Sequence, residues 1–497
     1  FDAHTFDVTL LANAEENRYW SSIMSNKNFS PNQELLYHGL HFGDSPEISV
    51  NDTRSTGDAL MARLNYSLMG RYLLTTSVRR DGYSAFGLEN PRAVFPAFAL
   101  GWVVSEEDFF QSQVINRLKL RGSWGVNGNR DIGIYAALAR TASSPWYDGT
   151  NTRIGVYNST LSNRSLKWEK TAALNFGFEM GLWENRIDLS ADLYHMTTAD
   201  LLMNRMLPRV TGFSNITSNL GELQNRGFEL TVNTKNVSKQ NFSWNSNFVF
   251  SMNRNKIIEL FGDYSTYTLL NKERTGDVPD FTNGWFPGQA LDVVWDYKIT
   301  GIWQLDEREE AAKYNLMPGD FKGVDVNTDY RYVDRIDKQF IGYTQPRYRL
   351  GLRNDFSFLK HFTASVFIRS DLGHIGSYSV ALNSGHESND RWNRNNGPVP
   401  YWTADKPNNE YARLNPYTGS YGGGLMIYKP RSYVRVQDVS LTYDMPASLV
   451  QKIRLNNLQV FGSVRNLATF TKWPGWDPES GMSPMPRTFT FGFNMSL

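Results

Sequence analysis

The 497-residue chain has no cysteine, which excludes disulfides and thiolate metal sites but assigns no compartment. It also lacks a membrane helix. Its longest apolar run, residues 93–104 (AVFPAFALGWVV), is twelve residues and contains a proline, against the roughly 20 residues a helical span needs. No charge of one sign dominates. Fifty-one Lys and Arg face 50 Asp and Glu, so no global field points to nucleic acid or acidic lipid, and nucleic acid is not expected as a partner. The chain does not open on Met or on a charged-then-apolar signal segment, and it reads as a mature, truncated or partial sequence.

Aromatic residues are plentiful: 30 Phe, 25 Tyr and 14 Trp make up 14% of the chain. Rings favour strands and settle at membrane interfaces. Their arrangement narrows the choice. In the tail RTFTFGFNMSL, Phe489, Phe491, Phe493, Met495 and Leu497 alternate with Thr488, Thr490, Gly492, Asn494 and Ser496, which is a strand with one apolar face. The segment 174–182 repeats the pattern with Leu174, Phe176, Phe178, Met180 and Leu182, and 187–193 repeats it again with Asp188 and Asp192 on the opposite face. Such segments approach the 9–11 residues of a tilted transmembrane strand, longer than the five or six usual in a soluble sandwich. Charges such as Glu179, Asp188 and Asp192 suit a wet lumen, and the other face suits hydrocarbon.

Sixteen strands are expected, at 5–14, 58–68, 71–81, 93–104, 113–125, 172–182, 185–197, 226–234, 242–253, 263–270, 291–303, 346–356, 360–370, 432–443, 456–465 and 487–497. The fold class is therefore all-β, an antiparallel transmembrane β-barrel. Connections near 69–70, 105–112, 183–184, 235–241, 357–359 and 444–455 are short or moderate. They alternate with long ones at 15–57, 126–171, 198–225, 304–345, 371–431 and 466–486, and only 271–290 breaks the alternation. Tight periplasmic turns and long extracellular loops are the outer-membrane pattern.

Several blocks resemble the SusC/RagA family of TonB-dependent outer-membrane transporters, over nearly the whole chain. They are RYLLTTSVRRDGYSAFG with FPAFALGWVVSEEDFF, LKLRGSWGVNGN, LKWEKTAALNFGFEMGLWENRIDLSADLYHMTTADLL, NLGELQNRGFELTV, PGDFKGVDVN, SYVRVQDVSLTYDMP and VRNLATFTKWPGWDPESG, in the family's order. The resemblance implies a 22-strand barrel of which about 16 strands are present. The N-terminal extension, TonB box, plug domain and about six strands then lie outside this sequence, and residues 1–497 form the C-terminal part of the barrel. It further implies active import of an oligosaccharide or peptide across the outer membrane of a Gram-negative bacterium of the Bacteroidota. The implied partners are a SusD-like surface lipoprotein, outer-membrane lipid, and TonB through the missing N-terminal segment. No cofactor is implied. The family often ends on Phe where this chain ends on Leu497, so Phe489, Phe491, Phe493 and Leu497 are the expected membrane-insertion signal. The rival readings are a self-contained 16-strand porin and a soluble glycan-binding β protein.

Candidate sites are few. Asp325, Asn327 and Asp329 have the oxygen spacing of a calcium loop, but Tyr330 replaces the glycine and Ile336 the closing glutamate, so a solvated turn is expected and no metal. His38, His41, His195, His361, His374 and His386 form no nucleophile or metal signature, and no catalytic residue is expected. Trp392, Tyr401, Trp402, Tyr411, Tyr417 and Tyr421 lie in one Asn-, Gly- and Pro-rich segment. They would stack on sugar faces, or would pack the loop itself against a lid protein.

Overall fold

The computed structural model describes residues 3–28, 34, 36–382, 400–422, 424–481 and 483–496. Fourteen strands form one antiparallel sheet in which each pairs with its neighbours in sequence. They are β1 (His4–Ser25), β2 (Glu47–Leu68), β3 (Tyr72–Tyr83), β4 (Arg92–Val103), β5 (Ile115–Asn129), β6 (Glu169–Leu182) and β7 (Ile187–Ala199). The second half supplies β8 (Glu222–Lys239), β9 (Phe242–Glu259), β10 (Tyr348–Phe358), β11 (Phe362–Leu372), β12 (Tyr433–Asp444), β13 (Asn457–Thr471) and β14 (Thr488–Ser496). The order begins at β1 and ends at β14. The chain divides into two compact units, Phe1–Gly101 with Ser123–Leu174 and Thr197–Glu222, and Trp102–Gly122 with Asn175–Met196 and Leu223–Leu497.

The difference from sixteen strands has one cause. Segments 263–270 and 291–303 do alternate, but they build small two-stranded ribbons: Tyr264–Leu269 with Lys272–Asp277, Val293–Tyr297 with Lys338–Tyr343, and Ile299–Ile302 with Phe321–Gly323. Their apolar positions Leu269, Val294, Tyr297 and Ile302 are buried. Period two reports a half-buried strand and does not distinguish lipid from a protein core. With both segments reassigned, 260–347 becomes one long connection. The irregular connection at 271–290 disappears, and shorter connections alternate with longer ones except around β4, where 84–91 is shorter than 104–114.

Two other expectations shift. The segment 15–57 is not simply a loop: β1 and β2 stay paired from His4↔Leu68 to Ser25↔Glu47, whereas β3 pairs β2 only from Gly57 to Leu68. A free two-stranded ribbon therefore extends past the sheet. The turn at 235–241 also narrows, because β8 runs to Lys239 and β9 starts at Phe242.

Local chemistry explains the turns. Met69 and Gly70 have φ of 52° and 70°, and Leu359 and Lys360 have 53° and 65°, a paired left-handed geometry whose twist matches that of the flanking strands. Within the sheet, Gly227 makes room for a ring, since a Cβ there would fall 2.1 Å from Cζ of Tyr194. The ring on the glycine covers backbone that would otherwise lack a packing partner.

One face of the sheet is apolar and exposed. Val8, Leu10, Leu60, Val78, Val94, Leu100, Phe176, Leu193, Leu441, Val460, Phe489, Phe491 and Phe493 are all exposed. The other face is polar and internally neutralised. Arg121 lies 2.5 Å from Asp192 and 3.7 Å from Glu179, and Arg117 lies 3.3 Å from Asp188. Asparagine pairs Asn247–Asn233 and Asn253–Asn225 continue the polar network at 2.7 and 3.1 Å. A soluble sandwich would hide the first face and wet the second. This sheet does the reverse, which is the solvent order of a membrane wall.

Candidate functional site

The described residues of the long connections in the second unit are packed together. Segments 260–347, 373–432 and 472–486 share a core of Tyr297, Ile302, Trp303, Leu316, Phe321, Tyr332, Tyr378, Trp402, Tyr421, Leu425, Ile427 and Trp473. Loops cannot bury that many rings without satisfying their polar atoms, and the structure does so. Tyr332 stacks on Tyr421 at 4.2 Å, the Tyr421 hydroxyl donates to the Phe321 carbonyl at 2.9 Å, and Trp402 Nε1 donates to Gln304 Oε1 at 3.0 Å. Fully buried Asp320 ties two loops together. It accepts from Arg413 Nε at 2.8 Å and from the backbone N–H groups of Tyr417 and Met317, each at 3.0 Å.

Burial shapes the electrostatics of this layer. It pushes the Asp296 carboxyl up, against the pull of the Tyr297 N–H, Lys338 and the Tyr428 hydroxyl. It raises Tyr428 and Tyr378 to about 12 each and raises Asp337 although that group accepts backbone N–H bonds from Val333 and Val326. The Tyr421 phenol is also raised, chiefly by burial. These hydroxyls stay protonated donors at neutral pH and act as structural pins.

A second feature is a clamp on the segment after β13. Arg435 is 1% exposed. Its guanidinium donates to Asp477, to Glu479 Oε2 at 2.9 Å and to Thr469 Oγ1 at 3.0 Å. Arg369 pairs with Glu479 as well, and Arg431 donates to the carbonyls of Pro478 and Glu479 at 2.7 and 2.9 Å. Burial pushes Asp477 up, but Arg435 and the N–H groups of Glu479 and Ser480 hold it below the usual carboxylate range. This fixed loop leaves Trp476 74% exposed. The sequence reading missed Trp476, although an indole beside the Asp-Pro-Glu turn was visible in the sequence as a signal.

The structure separates the six loop aromatics expected as a group. Trp402 and Tyr421 are buried in the loop core, Tyr411 packs against it, and Tyr401 and Tyr417 keep solvent-facing rings. Trp392 lies outside the described residues. Near them, a cavity of about 450 Å³ is lined by Ile299, Ile341, Ile375, Met426, Asn409 and Glu410 among others, with Lys429 3.8 Å from Glu410. It offers aliphatic surface and hydrogen-bonding groups together.

The calcium-like segment uses its oxygens locally. Asp325 accepts the N–H groups of Thr328 and Tyr330 at 2.7 and 2.9 Å, and Asp329 accepts that of Arg331 and the Asn327 amide, each at 2.9 Å. Among the described residues no group of three His, Cys, Asp or Glu side chains is placed to hold a metal. Phe489, Phe491 and Phe493 occupy the exposed apolar face of β14. Leu497 lies outside the described residues.

Comparison with known proteins places this arrangement. The profile of the family described as "TonB dependent receptor-like, beta-barrel" matches residues 4–467. TonB-dependent receptor P3 of Formosa agariphila is 30% identical over a 503-residue alignment covering 93% of this chain and 48% of that protein. TonB-dependent receptor SusC of Bacteroides thetaiotaomicron is 30% identical over 461 residues, covering 90% of this chain and 44% of that one. The chain spans about half the length of the curated relatives it matches. Among solved structures, the RagAB peptide transporter superposes with a TM-score of 0.77 at 22% identity, covering 99% of this chain and 53% of that one. At that identity the likeness concerns the fold.

Proposed function

Because the chain belongs to the TonB-dependent receptor β-barrel family, a family of transporters, we propose that it is the barrel portion of a SusC-like active importer in the outer membrane. The carrying observation is the pairing of a sheet whose apolar face is turned outward with a loop layer that has its own buried aromatic core. The first suits a lipid wall and the second a stiff platform on the cell surface. On this reading residues 1–497 are the C-terminal part of the receptor, and the plug, the TonB-contacting segment and about six strands belong to its other part. A SusD-like lipoprotein caps the loop platform, an oligosaccharide or peptide is held beneath it, and TonB supplies the work. The bacterium would be of the Bacteroidota, as the sources of both cited relatives are. Exposed Tyr401, Tyr417 and Trp476 offer ring faces to such a ligand, and Phe489, Phe491 and Phe493 with Leu497 would carry the insertion signal.

The rival reading is a self-contained porin, a barrel that would close on itself within these residues. Uptake by cells carrying the full-length receptor separates the two. Import of labelled oligosaccharide or peptide should stop when TonB is depleted or the proton-motive force is collapsed. Import that continues in both conditions would establish a passive channel.

A further inference from the structure

The balanced net charge of the chain conceals a local imbalance on the outward face of the first unit. By register, Phe6, Val8, Leu10, Ala12, Ala14, Glu16 and Arg18 of β1 share a face with Arg54, Thr56, Asp58, Leu60, Ala62, Leu64 and Tyr66 of β2 and with Leu74, Thr76, Val78 and Arg80 of β3. The apolar stretch from Phe6 to Ala14 runs about 27 Å along the strand at the usual rise, or about 20 Å along the membrane normal at the usual tilt. Its two rims differ in chemistry. Toward the tight turn Met69–Gly70 the rim is aromatic, with Phe6 stacked on Tyr66 at 4.8 Å and His4 Nδ1 2.9 Å from the Tyr66 hydroxyl. Toward the long connections the band gives way to charge, with arginine in excess, before Trp20, Met24, Ile48 and Val50 continue the face along the ribbon.

Four guanidiniums meet two carboxylates there. Asp58 accepts both Arg92 nitrogens, at 3.1 and 2.9 Å, with Arg80 at 3.9 Å. Glu16 accepts Arg18 at 2.7 Å and Arg54 at 3.0 Å. Arg92 reaches Asp58 across Gly82, where its Cγ lies 3.1 Å from the position a Cβ would take. Arg18 and Arg54 stand directly opposite one another, and like charges at opposed positions destabilise a strand pair. The six charged side chains are 42–68% exposed, and ion pairs so wet add little stability. The cluster therefore spends two carboxylates on four cations, leaves an excess of two positive charges that Asp52, next on the same face of β2, reduces to one, and borders an apolar band.

We propose that Arg18, Arg54, Arg80 and Arg92 bind the phosphate groups of a phosphorylated glycolipid whose acyl chains lie on the apolar face below. Guanidinium is the side chain that matches phosphate in a bidentate fork. The aromatic rim and the arginine rim face leaflets of different headgroup chemistry, and the phosphate-bearing leaflet is the one on the side of the long connections. This assignment rests on the membrane-wall reading above.

The test uses the full-length receptor purified in a neutral detergent, with native mass spectrometry and the thermal midpoint as readouts. The probes are a bisphosphorylated acylated disaccharide, its dephosphorylated counterpart and inorganic phosphate. Wild type should bind the phosphorylated lipid at least tenfold more tightly than the dephosphorylated one. Arg54→Gln/Arg92→Gln should lose most of that ratio, while Arg54→Lys/Arg92→Lys, which keeps the charge, should retain part of it. Heat-modifiable migration shows that each variant is folded. Equal binding of both lipids, an equal response to inorganic phosphate alone, or an unchanged ratio in the glutamine variant overturns the assignment. A receptor that stays monodisperse without detergent and binds neither lipid would overturn the membrane reading itself.

Discussion

Phe491 in β14 is 81% exposed and Tyr421 in the loop layer is 2% exposed, yet both are large rings set between a hydroxyl residue and a glycine. The sheet gives its rings to the surroundings and the loops keep theirs inside. Apolar residues leave water in both regions, but the sheet reaches a low-polarity medium by facing lipid and the loop layer makes its own. The contrast extends to charge. On the sheet, ion pairs such as Arg121–Asp192 stand on the polar face and are partly exposed, whereas Asp320 within the loop layer, and Arg435 where β12 meets the loop at Asp477, are sealed by packed loops. Buried charges without partners are costly, so the loop pairs are the more fragile.

The largest expected effect breaks the loop side of the contrast. Arg435→Met strands Asp477, and removing one partner of a buried pair costs about 3–5 kcal/mol. Amide hydrogen exchange should show residues 473–481 losing protection while β9 to β11 keep theirs. Adding Asp477→Asn should restore part of the protection, because the uncompensated charge is then gone. Unchanged protection in the single variant would mean that the clamp is ornamental.

Phe491→Arg addresses the sheet side. At the midplane of a bilayer an arginine on the lipid face costs about 2–4 kcal/mol, falling toward zero near the interface. Unfolding in lipid bilayers should shift by an amount in that range, and Leu10→Arg on β1 should behave alike. If neither variant changes stability in lipid, the outward apolar face is not a membrane face.

Tyr421→Phe is subtler, since it keeps the ring and deletes the hydroxyl that donates to the Phe321 carbonyl. An unsatisfied buried acceptor costs about 1–3 kcal/mol. The loss should appear as local opening of the loop layer, with the sheet transition unmoved. A shift in the sheet transition instead would show that the two regions unfold together.

The sheet was legible because its periodicity is long and its turns are short. Fourteen of the sixteen expected strands overlap strands of the large sheet, and the general alternation of connection lengths followed from counting alone. What was not legible has a physical origin. Leu269, Val294, Tyr297 and Ile302 alternate as a transmembrane strand would, but the partner that buries them is another loop, distant in sequence. The free ribbon of β1 and β2 was read as loop because Glu15 to Arg18 and Asn51 to Arg54 interrupt the apolar alternation, although backbone pairing continues through them. In the candidate site, composition marked the ring-rich segment but not which rings turn inward: Trp402 lies buried beside Tyr401, which is exposed. Only tertiary packing separates two neighbours in that way.

The smallest expected effect concerns Asp296, where the loop layer buries a carboxylate with a weak counter-charge, Lys338 at 4.0 Å. Burial raises its pKa in the folded state, so the folded chain holds this proton to higher pH than the unfolded chain does. Linkage then sets the sign: the stability tied to this group is fully present below the unfolded value and is lost as pH rises through the folded one. Asp477, held low, has the opposite sign, and its contribution is full above the ordinary carboxylate value and is lost as pH falls through the folded one. Asp296→Asn keeps an oxygen for the Tyr297 N–H, places an NH2 that can donate to the Tyr428 hydroxyl oxygen where the second carboxylate oxygen stood, and carries no charge to bury. It should therefore leave loop-layer stability unchanged in mild acid and raise it slightly at neutral pH, read as slower amide exchange at residues 293–297. If the variant is instead less stable at neutral pH, the attraction of Lys338 exceeds the cost of burying Asp296, and the loop layer tolerates charge better than its closed aromatic core suggests.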